Sequence, residues 1–221
     1  CCGYHALNLA KAVGSTGKIH CFEANPELVE VLERNLDANG FGQTTEIHNK
    51  GIWSDHSFLP FPLAEGRLGA VGFRSTKDIH GKGGIARWFK RVRNRSEWHD
   101  IRMIEVLPLD DILADKEVHL IRMDIEGAEL QAVQGGQRTL RERDIPLILE
   151  WTPEYAVPHE TEALYGLLKS LEYRVWRILE SGLTEIHSAE EFHSKHLQQC
   201  RDGQRDVLCS KSPPEPSMMA T

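Results

Sequence analysis

No apolar run in the 221 residues approaches the roughly 18 needed to cross a bilayer, so a membrane-spanning helix is not expected. Paired cysteine motifs are missing too. The five cysteines, Cys1, Cys2, Cys21, Cys200 and Cys209, are odd in number and scattered. That pattern argues against a disulfide framework and for reduced thiols in a cytoplasmic compartment. Positive charge is in deficit: 26 Lys and Arg face 33 Asp and Glu, a formal net charge of −7. Such a balance disfavours general nucleic-acid binding, which needs dense positive charge against phosphates. The chain also opens Cys1-Cys2-Gly3-Tyr4-His5, without an initiator Met or a basic-then-apolar leader. The expectation is of a chain that begins inside a domain. Apolar residues are not lacking: 40% hydrophobic residues plus 18 glycines suffice for a globular core.

The first fifty residues predict helix, strand, helix, strand. Ala6, Leu9, Ala10 and Val13 form one helical stripe within 5–13, and Gly14 to Gly17 break it. Lys18 to Glu23 reads as a strand. Asn25-Pro26 is a helix start, because Asn accepts from free N–H groups and Pro suits the first helical position. Leu28, Val29, Leu32 and Leu36 continue that helix to Asn39-Gly40, and Thr45 to Ile52 reads as one further strand. This alternation implies an α/β fold whose parallel strands are joined by helical crossovers.

From about 56 to 100 the pattern loosens around Pro60, Pro62 and many glycines, and an irregular insertion is expected. Within it Ile85, Trp88, Phe89 and Val92 share a helical face among Arg87, Lys90, Arg91, Arg93 and Arg95. This basic amphipathic segment is a substrate cap, a lipid or partner contact, or a solvated face. Strands are expected at 101–107, 118–124, 145–150, 173–179 and 205–209, and helices after Gly127 and over 160–171. The domain would span 1–209, with a disordered tail over 210–221.

In open parallel sheets ligands bind beyond the carboxyl ends of the strands, so acids there are candidates. Glu23 ends a strand, 20 residues after Gly3, the spacing at which a carboxylate meets ribose hydroxyls. Asp124, Glu126 and Glu129 cluster in Asp124-Ile125-Glu126-Gly127-Ala128-Glu129 at a strand-to-helix turn. They suit a helix N-terminus, a cation, an amino group or a general base. Glu150-Trp151 ends another strand and offers substrate contact. His193, His196 and Cys200 share a helical face without an evident fourth zinc ligand, so no metal is expected.

These segments form an ordered set: Gly3-Tyr4-His5, Cys21-Phe22-Glu23-Ala24-Asn25-Pro26, Asn49-Lys50-Gly51-Ile52-Trp53-Ser54-Asp55, Leu109-Asp110-Asp111 and Arg122 to Glu129. In order and spacing, over about residues 3–180, they resemble the FkbM-type methyltransferases. The resemblance implies a Rossmann-like class I methyltransferase fold with a mostly parallel seven-stranded sheet, its first strand missing from this sequence. It also implies S-adenosylmethionine as cofactor and a small-molecule hydroxyl, often of a sugar, as substrate. Gly3 and Tyr4 resemble the end of the cofactor's glycine loop, with Cys1 and Cys2 in place of its preceding residues. Glu23, Ala24 and Asn25 resemble the ribose-binding segment, although Ala24 stands where Pro is common. Gly51 and Ile52 match the adenine side. Asp124 matches both cofactor and catalytic positions, and Glu126 a catalytic one. Glu129, Glu150 and Trp88 are the substrate candidates. Two alternatives stay open: a nicotinamide-dependent oxidoreductase on a related sheet, and a non-catalytic module that kept the fold. With the glycine loop incomplete, this chain alone is expected to be weak or inactive.

Overall fold

The computed structural model describes residues 2–64, 98–151, 158–192 and 206–218. They form an α/β structure in two compact units, one of Cys1–Ile52 with His56–Val106, the other of Trp53–Asp55 with Leu107–Thr221.

The first unit begins with helix α1, Tyr4–Val13. Gly3 precedes it at φ 93°, a left-handed conformation that costs glycine nothing, and its carbonyl accepts from Leu7 N–H at 2.8 Å. Strand β1, Ile19–Phe22, pairs in parallel with β2, Thr45–His48, from Ile19 opposite Thr45 to Phe22 opposite His48. Helix α2, Pro26–Ala38, is the crossover. The Asn25 side chain accepts from Glu27 N–H at 3.0 Å, so the expected cap forms. Leu28, Leu32 and Leu36 bury the apolar stripe. Each such leucine stabilises the unit by about 1.5–3 kcal/mol.

The strand expected over Thr45 to Ile52 divides. The chain turns at Asn49-Lys50, where Lys50 N–H donates to His48 O, and β3, Gly51–Ile52, joins another sheet. The Asn49 amide instead donates to the carbonyls of Glu23 and Ala24. A side chain bonded locally to backbone in this way competes with a continued ladder. The region expected to be irregular opens with a regular strand, β4, Ser57–Ala64, antiparallel to β5, Trp98–Leu107. The order β3-β5-β4 puts β4 at an edge, where Pro60 and Pro62 cost no ladder bond on the open side.

In the second unit, α3, Leu109–Ile112, precedes β6, Ile121–Met123, and then α4, Glu129–Gln134, and α5, Gln137–Glu142. The periodicity from Leu130 to Leu140 predicts one helix, but Gly135-Gly136 separates two. A Cβ on Gly135 would lie 2.2 Å from the Trp53 carbonyl oxygen and 3.1 Å from Pro108 Cα, so main chain occupies the side-chain space. Gly135→Ala is expected to cost about 3 kcal/mol of unfolding free energy or more by overpacking, measured in urea. Asp110 serves this corner as well. Its N–H donates to Gly135 O, and its carboxylate accepts from Arg138 and Thr139 N–H at 3.2 and 2.7 Å, capping α5.

Strand β7, Leu147–Glu150, runs parallel to β6. After α6, Pro158–Ser170, come β8, Arg174–Leu179, β9, Gly182–Ile186, the single turn α7, Ala189–Glu191, and β10, Asp206–Ser210. The sheet order is β6-β7-β10-β8-β9, and β10 is antiparallel to both neighbours. The mostly parallel seven-stranded sheet is therefore not what the described residues form: β1–β2 and β6–β7 are parallel, but β7–β10, β10–β8, β8–β9 and β4–β5 are antiparallel. A tight connection ending at Gly182, φ 124°, forces β8 and β9 into an antiparallel hairpin.

Leu140, Leu147, Leu149, Leu164, Leu168, Tyr173 and Trp176 make the second unit's core. Two of its aromatic side chains have their polar atoms paired: Tyr173 OH donates to Ile145 O at 2.7 Å and Trp176 Nε1 to Ser210 Oγ at 3.1 Å. From Ser210 to Met218 the chain keeps defined contacts and turns. Ser210 is buried in β10, Lys211 Nζ donates to Arg141 O, Ser212 bonds Asp144, and Pro216–Met218 make a 3₁₀ turn. No helix among the described residues is long and apolar enough to cross a membrane.

Candidate functional site

Each unit carries part of the expected site. In the first unit, β1 ends at Phe22 and Glu23 follows. Glu23 N–H donates to His48 O at 3.0 Å, which extends the β1–β2 pairing by one residue. Its carboxylate Oε1 accepts from Asn25 N–H at 2.8 Å. The Asn49 amide donates to Glu23 O at 2.8 Å and Ala24 O at 3.3 Å. Backbone and carboxylate are thus both fixed, which suits a group that must meet two hydroxyls at once. The Asn25 side chain is committed to the α2 cap, and Asn25 supports Glu23 through its backbone. Gly3 is buried beside Leu32, whereas Tyr4 is 70% exposed with its ring edge-on to His5. Gly51 is buried and Ile52 half-buried in β3. No local pattern around Asn49-Lys50-Gly51 signals this contact of Asn49.

In the second unit, Asp124 follows β6, Glu150 ends β7, and Asp206 starts β10. The antiparallel register sets Asp206 opposite Glu150. Asp206 is a member of the acidic group that the sequence reading missed. Its only signal was the strand start at 205–206, which gives no pairing direction. Arg122 Nη1 lies 2.9 Å from Asp206 Oδ1 and offsets part of the negative charge.

Burial, a hydrogen bond from Glu150 to Asp124 and the charges of Asp124, Asp206 and Glu126 push the Glu150 carboxyl up to about 8. The carboxyl group therefore keeps a proton to higher pH than an ordinary glutamate does. Glu129 is almost fully buried at the start of α4, and burial pushes it up to about 7. N–H groups of Ile125 and Gly127, 3.3 and 3.4 Å from its Oε1, limit the rise. Glu126 adopts φ 54° directly before Gly127 at φ 90°. A left-handed non-glycine residue costs about 1–2 kcal/mol, and such strain concentrates at functional turns.

Two raised carboxyls make stability depend on pH with a definite sign. The folded form holds protons that the unfolded chain, near the ordinary 4.5, releases. Their contribution is complete below pH 4.5 and is lost as pH rises through about 7 and about 8. The melting temperature should fall across that window. Glu129→Gln with Glu150→Gln should flatten the slope, and an unchanged slope would refute the assignment.

Trp88 and its basic segment lie outside the described residues, as do Cys1, His193, His196 and Cys200. The Tyr-x-x-x-Lys spacing of short-chain dehydrogenases, overlooked in the sequence reading, occurs at Tyr165 and Lys169. The Tyr165 hydroxyl is buried and donates to Ile186 O at 3.2 Å, so it is part of the packed core.

A family model for the methyltransferase FkbM domain matches residues 2–175. Protein-L-isoaspartate O-methyltransferase of Methanococcoides burtonii is 37% identical over 49 residues, 22% of this chain and 24% of that protein. The same enzyme of Methanothrix thermoacetophila is 40% identical over 60 residues, 27% of this chain and 29% of that protein. The match thus spans only about a quarter of these relatives' length. The crystal structure of an FkbM methyltransferase from Methylobacillus flagellatus KT superposes with a TM-score of 0.51 at 18% identity, covering 95% of this chain and 42% of that one. At that identity the likeness speaks for the fold. The family match takes in Gly3, Glu23, Asp124 and Glu150 alike, and by it the chain belongs to the FkbM methyltransferase family.

Proposed function

We propose that this chain transfers a methyl group from S-adenosylmethionine to a hydroxyl oxygen of a sugar or another small molecule. The observation that carries the reading is Glu23, a carboxylate at a parallel strand end with one oxygen fixed by the Asn25 N–H. Its donor set fits a nucleoside: lone pairs for vicinal hydroxyls, on a backbone held by Asn49 and His48. Gly3, Tyr4, Ala24, Asn25, Gly51 and Ile52 would complete the cofactor's surroundings. The bound cofactor supplies a methyl group on positively charged sulfur, already activated for attack.

The protein's own task is then to align the substrate oxygen and remove its proton. Alignment alone accounts for up to about 7–11 kcal/mol of barrier in well-oriented systems. Asp124 accepts the hydroxyl proton as the new carbon–oxygen bond forms. Glu150 keeps its own proton to higher pH than an ordinary glutamate and donates it in a hydrogen bond to Asp124, which orients the acceptor. Glu126 and Glu129 bound the same turn and favour a substrate rich in hydroxyls over an anionic one. The two archaeal relatives are O-methyltransferases, which favours oxygen as the acceptor atom. The formal charge of −7 speaks against nucleic acid as substrate.

The test is incubation with methyl-labelled cofactor and a panel of small hydroxyl compounds. Alkali-stable label, as in a methyl ether, is expected. Alkali-labile label would indicate a carboxyl ester and overturn the hydroxyl assignment, and absence of label across the panel from a chain that binds S-adenosylmethionine would overturn the activity.

A further inference from the structure

The β1–β2 pair carries a second cluster that the methyl-transfer reading does not use. His20 stands opposite Glu46 in the parallel register, and His48 lies two residues further along β2, on the same face. His20 Nδ1 is 3.3 Å from His48 Nε2. Glu46 Oε2 is 3.5 Å from His20 Nδ1, and Glu46 Oε1 is 3.5 Å from His48 Nε2. Three ligand atoms bound tetrahedrally to zinc, each at about 2.0–2.1 Å, lie about 3.3 Å from one another. The two contacts of Glu46 are made by different oxygens, and with one ligand atom from each residue the three atoms lie within 4.8 Å of one another, wide of that triangle by about an ångström.

The surroundings suit the same use. Both imidazoles are about three-quarters covered, with side-chain exposures of 25% and 23%, while Glu46 at 47% leaves an approach from solvent. Phe22 stacks on the His48 ring at 4.5 Å and fixes its plane. The two imidazole planes differ by 14° with centroids 5.6 Å apart, so the facing nitrogens meet across a gap the size of one shared hydrogen. Lys18 Nζ, 3.1 Å from Glu46 Oε2, is the cation that competes for the carboxylate.

We propose that His20, Glu46 and His48 form a three-ligand site for a divalent transition-metal ion of the zinc type, with water in the fourth position. Two imidazole nitrogens and one carboxylate oxygen suit such an ion better than calcium or magnesium, which prefer oxygen alone. Bound there, the ion ties β1 to β2 through His20, three residues before Glu23.

The test is titration of the metal-free full chain with cobalt, followed by absorption, and with zinc, followed by calorimetry. One equivalent should bind with tetrahedral cobalt bands and without a thiolate charge-transfer band. His20→Gln and His48→Gln should each weaken binding beyond the about 10- to 100-fold that losing a residue which merely orients a ligand costs. His119→Gln, at an 85% exposed site beside Glu117, should change nothing. Lys18→Met should tighten binding by about two- to fivefold, the equivalent of one exposed ion pair, and a misfolded variant does not gain affinity. Binding that survives both histidine changes, a thiolate band, or no tightening in Lys18→Met would each overturn the proposal.

Discussion

Glu23→Ala is expected to weaken S-adenosylmethionine binding by about 100-fold or more while the chain keeps its fold. Two ribose hydroxyls on a carboxylate are hydrogen bonds to a charged acceptor, each worth about 1.5–3 kcal/mol. Their sum is about 3–6 kcal/mol, and every 1.4 kcal/mol is about tenfold in affinity. The fold has less at stake. The Glu23 carboxylate accepts one Asn25 N–H, while Asn49 and His48 hold the segment through the main chain. Glu23→Gln separates the two roles, because its amide oxygen still accepts from Asn25 but its charge is gone. It should retain wild-type thermal stability and still lose about tenfold or more in affinity. Calorimetry reads the affinity and circular dichroism the fold.

Asp124→Asn is expected to lower turnover by about 10²- to 10⁴-fold, the range for loss of a positioned general base. Cofactor affinity should fall far less than kcat, because the nucleoside contacts assigned to Glu23 are untouched. A linked effect distinguishes a proton acceptor from a structural acid. The Glu150 carboxyl is raised first by burial and then by its hydrogen bond to Asp124 and that residue's charge. Without the negative neighbour, Glu150 should ionise at lower pH, and the pH window of declining stability should narrow from its upper end. Equal loss of kcat and cofactor affinity would indicate that Asp124 holds the cofactor and is not the base.

What could be read from sequence divides along a physical line. The Asn25-Pro26 cap and the Leu28–Leu32–Leu36 stripe are encoded by adjacent residues, and both appear as expected. Asp124, Glu126 and Glu129 were visible for the same reason, as neighbours in one turn. Asp206 was not, because its place beside Glu150 depends on β10 entering antiparallel between β7 and β8, a pairing over 50 residues that no local pattern declares. The role of Asn49 is not legible in the sequence either, since its reach to Glu23 and Ala24 exists only once β1 and β2 are aligned. The break at Gly135-Gly136 was overruled by helical periodicity, although the deciding neighbour is the Trp53 carbonyl, far away in sequence. Pro60 and Pro62 were read as breakers because edge position is a property of the sheet and not of the segment.

The central claim is that Glu23 serves a methyl donor's nucleoside. Calorimetric titration of the chain with S-adenosylmethionine and, separately, with NADH tests it most directly, with Glu23→Ala beside the wild type. Saturable binding of S-adenosylmethionine alone, lost in Glu23→Ala, is the predicted result. Binding of NADH alone, or wild-type affinity for S-adenosylmethionine in Glu23→Ala, would contradict it.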